Sequence, residues 1–266
     1  MVESMAKTTR PSSVAAIVSD VHFLGDRAPH ASWKAFRKWH ADVEPSVVVV
    51  GGDLLDFGHL SPYEDTAMGQ GGAIAQIKQG VRELNELSKI SRVLLQMGNH
   101  EERWEKLLLG GRIAKFNEAV GLTLADQFRA QGLSSDVMMA QEELFIGARD
   151  GRVLIRHGHK QGSRYGAKHL AANQLAACPH VNSVHGHHHR ADFFVHTSQS
   201  TTRWGISNPC LSPGFGYSNG GDNNWQRGFT VLEFFGNDEY VTPSILMMSD
   251  ADSFAWRGRV YDGRAK

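Results

Sequence analysis

The sequence predicts an α/β domain, and two observations carry that prediction. From residue 14 to residue 184, short apolar runs rich in β-branched residues alternate with segments of helical period, the pattern of strands joined by helical crossovers. From Asp192 onward, strand-like runs such as residues 229–235 are separated by Gly, Asn and Pro turns, which predicts hairpins of a second sheet.

Residues 1–12 are polar and are expected to form a flexible tail. The run at residues 14–18 is expected to be a buried strand ending at Ser19-Asp20-Val21-His22. A helix is expected over residues 32–42, and Pro45 separates it from Val47-Val48-Val49-Val50, a run suited to a strand covered on both faces. That strand enters Gly51-Gly52-Asp53. A Gly-rich stretch at residues 68–72 leads into a helix ending near Leu87, and residues 93–97 form a strand entering Gly98-Asn99-His100. Residues 107–130 are mostly helical in period, broken at Gly110-Gly111 and Gly121, and residues 101–145 are expected to cap the site. Residues 153–155 are a strand entering His157-Gly158-His159. A helix over residues 165–177 stops at Cys178-Pro179, and residues 181–184 lead to His185-Gly186-His187-His188-His189. No repeat, low-complexity tract or linker divides the chain, so one domain is expected over residues 13–249, followed by a polar, mobile tail at 250–266.

Composition narrows the function. Of 266 residues, 41% are hydrophobic and 21% charged, ordinary globular usage. The net charge is zero, without the broad positive field of a non-specific duplex binder, so long nucleic acid is not the favoured partner. No apolar run is long enough to span a bilayer and the N-terminus lacks a signal-peptide core, so a cytoplasmic protein is expected. Cys178 and Cys210 have no motif spacing, which points away from a disulfide framework. The count that departs from the ordinary is 14 His, many beside Gly or one another.

Five polar clusters, Asp20/His22, Asp53/Asp56, Asn99/His100, His157 and His187/His189, each closely follow an apolar run. In open α/β sheets, ligands bind at the carboxyl ends of strands. Asp-x-His and His-x-His put two side chains on one face of an extended segment. Carboxylate, imidazole and amide without thiolate favour borderline to hard divalent ions: Mn first, then Fe, Zn, Co or Ni.

In this order, Asp20-Val21-His22, Gly52-Asp53-Leu54-Leu55-Asp56, Gly98-Asn99-His100-Glu101, His157-Gly158 and Gly186-His187-His188-His189 resemble the signature of the calcineurin-like metallophosphoesterases. The resemblance spans about residues 14–190. It implies a four-layer α-β-β-α sandwich with two mixed sheets. It implies Asp20, His22 and His189 around one metal, Asn99, His157 and His187 around a second, and Asp53 bridging both. It also implies His100 as general acid, with Asp56 behind it to fix its tautomer and favour imidazolium. The implied reaction is hydrolysis of a phosphate ester by a metal-bound hydroxide.

The substrate expected is a small phosphodiester of nucleotide or cyclic-nucleotide type, with phosphomonoesters as a further class. A nuclease acting on DNA or RNA ends and a non-catalytic metal-binding scaffold are the alternatives. Ser/Thr protein phosphatases of the superfamily carry Arg where this chain has Phe57, which weakens that reading. His159 and His185 are expected to support neighbouring ligands. Arg103, Lys160, Arg164, Lys168, His169 and Arg190 are candidate phosphate contacts whose ordinary role is a solvated charge. The aromatic stretch from Trp204 to Trp225, with Phe215-Gly216-Tyr217, is a candidate stacking surface.

Overall fold

The computed structural model describes residues 10–25, 27–61, 71–109, 121–160, 168–212 and 224–265. Strands β1 (Ser13–Val18), β2 (Val47–Gly51) and β3 (Arg92–Gln96) pair in parallel, with Val18 opposite Val50 and Val50 opposite Leu95. Helix α1 (Ala31–Val43) joins the first pair, and α2 (Ala73–Ser88) joins the second. After β3 come α3 (Glu101–Leu109), α4 (Leu124–Ala130) and β4 (Val137–Met139), which pairs in parallel with β3.

The second sheet comprises β5 (Leu144–Ile146), β6 (Val153–Arg156), β7 (Asn182–His185), β8 (Asp192–Thr197) and β9 (Thr202–Ser207), in the order β5-β6-β7-β9-β8. Helix α5 (Leu170–Ala177) packs on β7, β8 and β9. The last long strands, β10 (Gly228–Phe235) and β11 (Tyr240–Met247), do not extend that sheet as the sequence suggested. They return to the first one, where β10 lies antiparallel to β1, in the order β11-β10-β1-β2-β3-β4. Both sheets are mixed.

Period-two alternation builds the layers. Ala16, Val18, Val48, Val50, Val93, Leu95, Phe229 and Val231 face Trp33, Phe36, Trp39, Ile77, Leu84 and Phe128 of the helices. Their neighbours Ala15, Ile17, Val49, Leu94, Leu232 and Phe234 turn the other way and meet Val153, Ile155, Val184 and Ile206 of the second sheet. With both faces covered, the central strands read as unbroken apolar runs. Helices, sheet, sheet and α5 are the four layers.

Two expected boundaries move. Residues 250–262 are not a loose tail: β12 (Ser253–Trp256) and β13 (Arg259–Asp262) form a hairpin against α1, and Phe254 and Tyr261 are buried beside Phe229. Two aromatic rings in an otherwise polar stretch are enough apolar area to dock it. The stretch expected to cap the site instead contributes to the body of the fold, because Leu124 and Phe128 of α4 are buried in the core and β4 extends the sheet. Residues 110–120 of that stretch, residues 1–9 of the N-terminal tail and residues 165–167 of the expected helix lie outside the described residues.

Candidate metal centre

The site lies where β1, β2, β3, β6 and β7 end. Each strand's last hydrogen bonds give way to a loop that turns at once. Five of the expected ligands themselves take left-handed backbone angles: Asp20 (φ 54°), His22 (53°), Asp53 (52°), His187 (74°) and His189 (58°). Such angles are uncommon for residues with a Cβ and cost about 1–3 kcal/mol each, so their concentration around one pocket marks a functional region. Glycines admit the close approaches. A Cβ on Gly98 would lie 2.1 Å from Asp53 Oδ1, and one on Gly186 would lie 2.7 Å from Asp20 Oδ2.

The loops bring the side chains together in two groups that share a flank. Asp20, His22 and His189 offer ligand atoms within 4.8 Å of one another, as do Asp53, His157 and His187. In the first group His189 Nε2 lies 3.2 Å from both Asp20 Oδ1 and His22 Nε2. In the second, His157 Nε2 is 3.2 Å from Asp53 Oδ2 and 3.0 Å from Asn99 Oδ1. Asp53 Oδ2 is also 4.0 Å from His22 Nε2, between the two groups.

This donor set fits divalent cations. Two buried ring nitrogens 3.2 Å apart both offer a lone pair unless one carries a proton. His189 Nδ1 has no partner among the described residues, so the ring gains no hydrogen bond there. Backbone contacts aim the ligands. His157 Nδ1 donates to Gly51 O (2.9 Å), which leaves Nε2 toward Asp53, and the His187 N–H donates to the Asp20 carboxylate (3.0 Å).

Charges follow this packing. Burial raises the cost of the Asp53 carboxylate, but His157 and His100 more than offset it and hold the group well below the usual carboxylate range. His157 shows the reciprocal effect: burial opposes its charged form, yet Asp53 at 3.2 Å holds it up at about 10. Burial pushes His187 down to about 4, helped by the neighbouring His157.

Asp56 lies behind His100 Nδ1, within ion-pair distance of it, and the hydrogen bond there goes to its main chain. The Asp56 carboxylate is 3.0 Å from His22 Nδ1 and 3.7 Å from His100 Nδ1. His100 Nδ1 instead donates to the Asp56 backbone carbonyl at 2.5 Å. Burial brings His100 down to about 4, with Asp53 and Asp56 opposing that shift and His22 and Arg103 adding to it. The short Asp56 side chain comes nearer the His22 ring, at 3.0 Å, than the His100 ring, at 3.7 Å, and its carbonyl takes the closer contacts to His100 and Arg103. His100 Nε2 lies 3.8 Å from Asp53 Oδ2, so His22, Asp53 and His100 form a third cluster of ligand atoms. His100 Nε2, however, already accepts from Arg103 Nη2 at 3.0 Å.

Sequence reasoning passed over two structural residues. Glu101, fully buried, accepts from the backbone N–H groups of Gly98 (2.8 Å), Asp53 (2.9 Å) and Leu55 (2.8 Å), tying two ligand loops together. Burial and the nearby Asp53 raise its carboxyl to about 7. A glutamate at the end of a strand motif was the available signal. Asn208 donates to Ser19 Oγ (2.9 Å) and accepts from Thr230 Oγ1 (2.7 Å), joining β1, β9 and β10 beneath the site. No sequence motif announces it.

His159 Nε2 is 2.9 Å from Glu102 Oε1, and Lys160 is held between Glu102 and Glu142. Burial leaves His185 neutral behind the His187 loop. Phe57 is buried and stacks on Trp104, so it replaces the Arg of that position with core. Trp225 meets the His189 ring edge-on at 4.3 Å, whereas Trp204 stacks on Phe193 of β8, away from the ligands. Arg164 and the Phe215–Tyr217 stretch lie outside the described residues.

The family described as Calcineurin-like phosphoesterase matches residues 14–191, two thirds of the chain and every loop that carries a ligand. The chain belongs to this family. No curated protein matches this phosphoesterase. Its fold is similar to that of a single mutant of Vps29 from Entamoeba histolytica, at 13% identity, covering 94% of this chain and 98% of that one with TM-score 0.44. Vps29 from Chaetomium thermophilum gives 10% identity, 89% and 96% coverage and TM-score 0.43. TT1561 of Thermus thermophilus gives 10% identity, 88% and 98% coverage and TM-score 0.39. Family membership makes the protein a metal-dependent phosphoesterase in general terms, and the buried His/Asp clusters supply the donors for divalent ions. Among the described residues no helix is long and apolar enough to cross a membrane.

Proposed function

We propose that this chain is a dinuclear metal-dependent phosphoesterase acting on small phosphodiesters of nucleotide or cyclic-nucleotide type, and also on phosphomonoesters. The convergence of two buried donor groups on Asp53 carries the reading. Asp20, His22 and His189 would hold one ion, and Asn99, His157 and His187 the other, with Asp53 between them. When bound, two such ions, Mn being the expected pair, neutralise phosphoryl charge and activate a water for in-line attack.

The chain's own residues supply the rest. Asp56 fixes the His22 ring through Nδ1, and Glu101 fixes the distance between the loops of Asp53 and Asn99. His100 is anchored through Nδ1, so Nε2 faces the pocket as the proton donor to the leaving oxygen. A phosphate anion arriving beside Nε2 raises its basicity against the effect of burial, which couples protonation to substrate binding. The edge of Trp225 beside His189 gives an aromatic surface next to the ligands, and this supports a base-bearing substrate.

The test is metal content per chain on protein purified without chelator, followed by hydrolysis of bis-p-nitrophenyl phosphate, p-nitrophenyl phosphate, cyclic nucleotides and single-stranded DNA, each with Mn and with EDTA. Two metals and EDTA-sensitive diester turnover are expected. Absence of both metal and turnover would refute the reading, and activity confined to DNA with steep salt dependence would replace it with a nuclease.

A further inference from the structure

We infer that Arg103 is a substrate-phosphate clamp and that it favours phosphomonoesters over diesters; this rests on the phosphoesterase reading above. Arg103 lies in the first turn of α3, three residues after His100. Its guanidinium bridges the Asp56 loop and His100: Nη1 donates to Asp56 O at 2.9 Å and Nη2 to His100 Nε2 at 3.0 Å. Both acceptors are neutral. Among the described residues it has no ion pair with a carboxylate, unlike Lys160, which is held by Glu102 and Glu142. A half-buried guanidinium without a contacting carboxylate is poised for an anion.

Position makes that anion the substrate. His100 Nε2 is the atom assigned to proton delivery, so the leaving oxygen must come within hydrogen-bond distance of it, and Arg103 Nη2 is already at 3.0 Å. Terminal oxygens of the same phosphoryl group then lie within reach of the guanidinium. Exchanging a neutral ring nitrogen for a charged oxygen strengthens the hydrogen bond, and the planar fork matches two phosphate oxygens.

Charge sets the preference. The seven proposed ligands include two carboxylates, Asp20 and Asp53, against four positive charges from two divalent ions, and Arg103 adds one more. A monoester dianion carries one more terminal oxygen and one more negative charge than a diester, so the clamp contributes more to it.

The experiment uses full-length, Mn-loaded protein and compares wild type with Arg103→Gln and Arg103→Lys. Inorganic phosphate affinity by calorimetry, metals per chain, and kcat/KM on p-nitrophenyl phosphate and bis-p-nitrophenyl phosphate are read for each. In R103Q, phosphate affinity and monoester kcat/KM should fall about 10–100-fold, the usual loss of a charge-assisted contact. The diester value should fall less, the metal count should hold, and R103K should be intermediate. Wild-type binding with phosphate affinity and substrate ratio unchanged in R103Q overturns the clamp alone. Loss of metal in R103Q and R103K also overturns it, assigning the side chain to the architecture of the centre. Wild-type protein that hydrolyses the esters with Mn but binds no phosphate overturns the clamp alone; wild-type protein with neither metal nor turnover removes the phosphoesterase reading with it.

Discussion

Replacing Asp56 by Asn separates two roles for one carboxylate. Its Oδ1 faces His22 Nδ1 at 3.0 Å, and its Oδ2 accepts from the Gly58 N–H at 3.1 Å, both in the buried interior. An amide has one oxygen, so one of these two donors must face an NH2 group instead. An unsatisfied buried donor costs about 1–3 kcal/mol. The charge that holds His22 with Nε2 toward Asp20 and His189 is lost as well. Removing such an orienting partner weakens metal affinity about 10–100-fold, or about 1.4–2.7 kcal/mol. The loss should fall on the ion held by Asp20, His22 and His189. Mn titration followed by calorimetry should therefore show one weakened and one retained site, with kcat at saturating Mn within about tenfold of wild type. The opposite result, unchanged Mn affinity with kcat reduced about 100-fold or more at saturation, would refute this assignment and place the carboxylate's role at His100.

The remaining predictions concern the same loops. His100→Gln should keep both metals while turnover falls about 10²–10⁴-fold; loss of metal content would make His100 a ligand. Glu101→Gln turns one acceptor oxygen into a donor facing backbone N–H groups, and at about 1–3 kcal/mol in a chain of this size should lower Tm by about 2–10 °C, read by scanning calorimetry. An unchanged Tm would remove its role as a tie. His157 is raised from 6.5 to about 10 in metal-free protein, so its stabilising charge is present below pH 6.5 and is lost as pH rises toward 10. A metal must displace that proton, so Mn affinity should increase with pH across this window, with proton uptake by the buffer seen in calorimetry. Affinity independent of pH from 6.5 to 9 would contradict the His157–Asp53 pairing.

How much could be read from the chain alone follows from where its information is local. The run Val47-Val48-Val49-Val50 announces a strand covered on both sides, because burial of both faces removes polar alternation. The five polar clusters, four of them beside a glycine, announce a site because each follows a strand closely and donor chemistry is a property of the side chain itself. Helices α1 and α2 were legible from period and from breakers at Pro45 and Gly72. Residues whose contacts are distant in sequence were not. The return of β10 to β1 pairs Ala16 with Val231, and no local pattern distinguishes that sheet from the other. The hairpin at residues 253–262 reads as a tail until Phe254 and Tyr261 find Phe229 on the same core.

The sequence by itself determined the fold class, the family and the chemical set of candidate ligands, since strand and helix periods and side-chain donors are encoded residue by residue. Only the tertiary structure decided that Asp56 turns its carboxylate to His22, that Glu101 bridges the loops of Asp53 and Gly98, and that Arg103 rests on His100 Nε2. Each of these is a contact of a few ångströms between loop ends, fixed by how two twisted sheets and one helix N-terminus meet, and a change of one rotamer would reassign it.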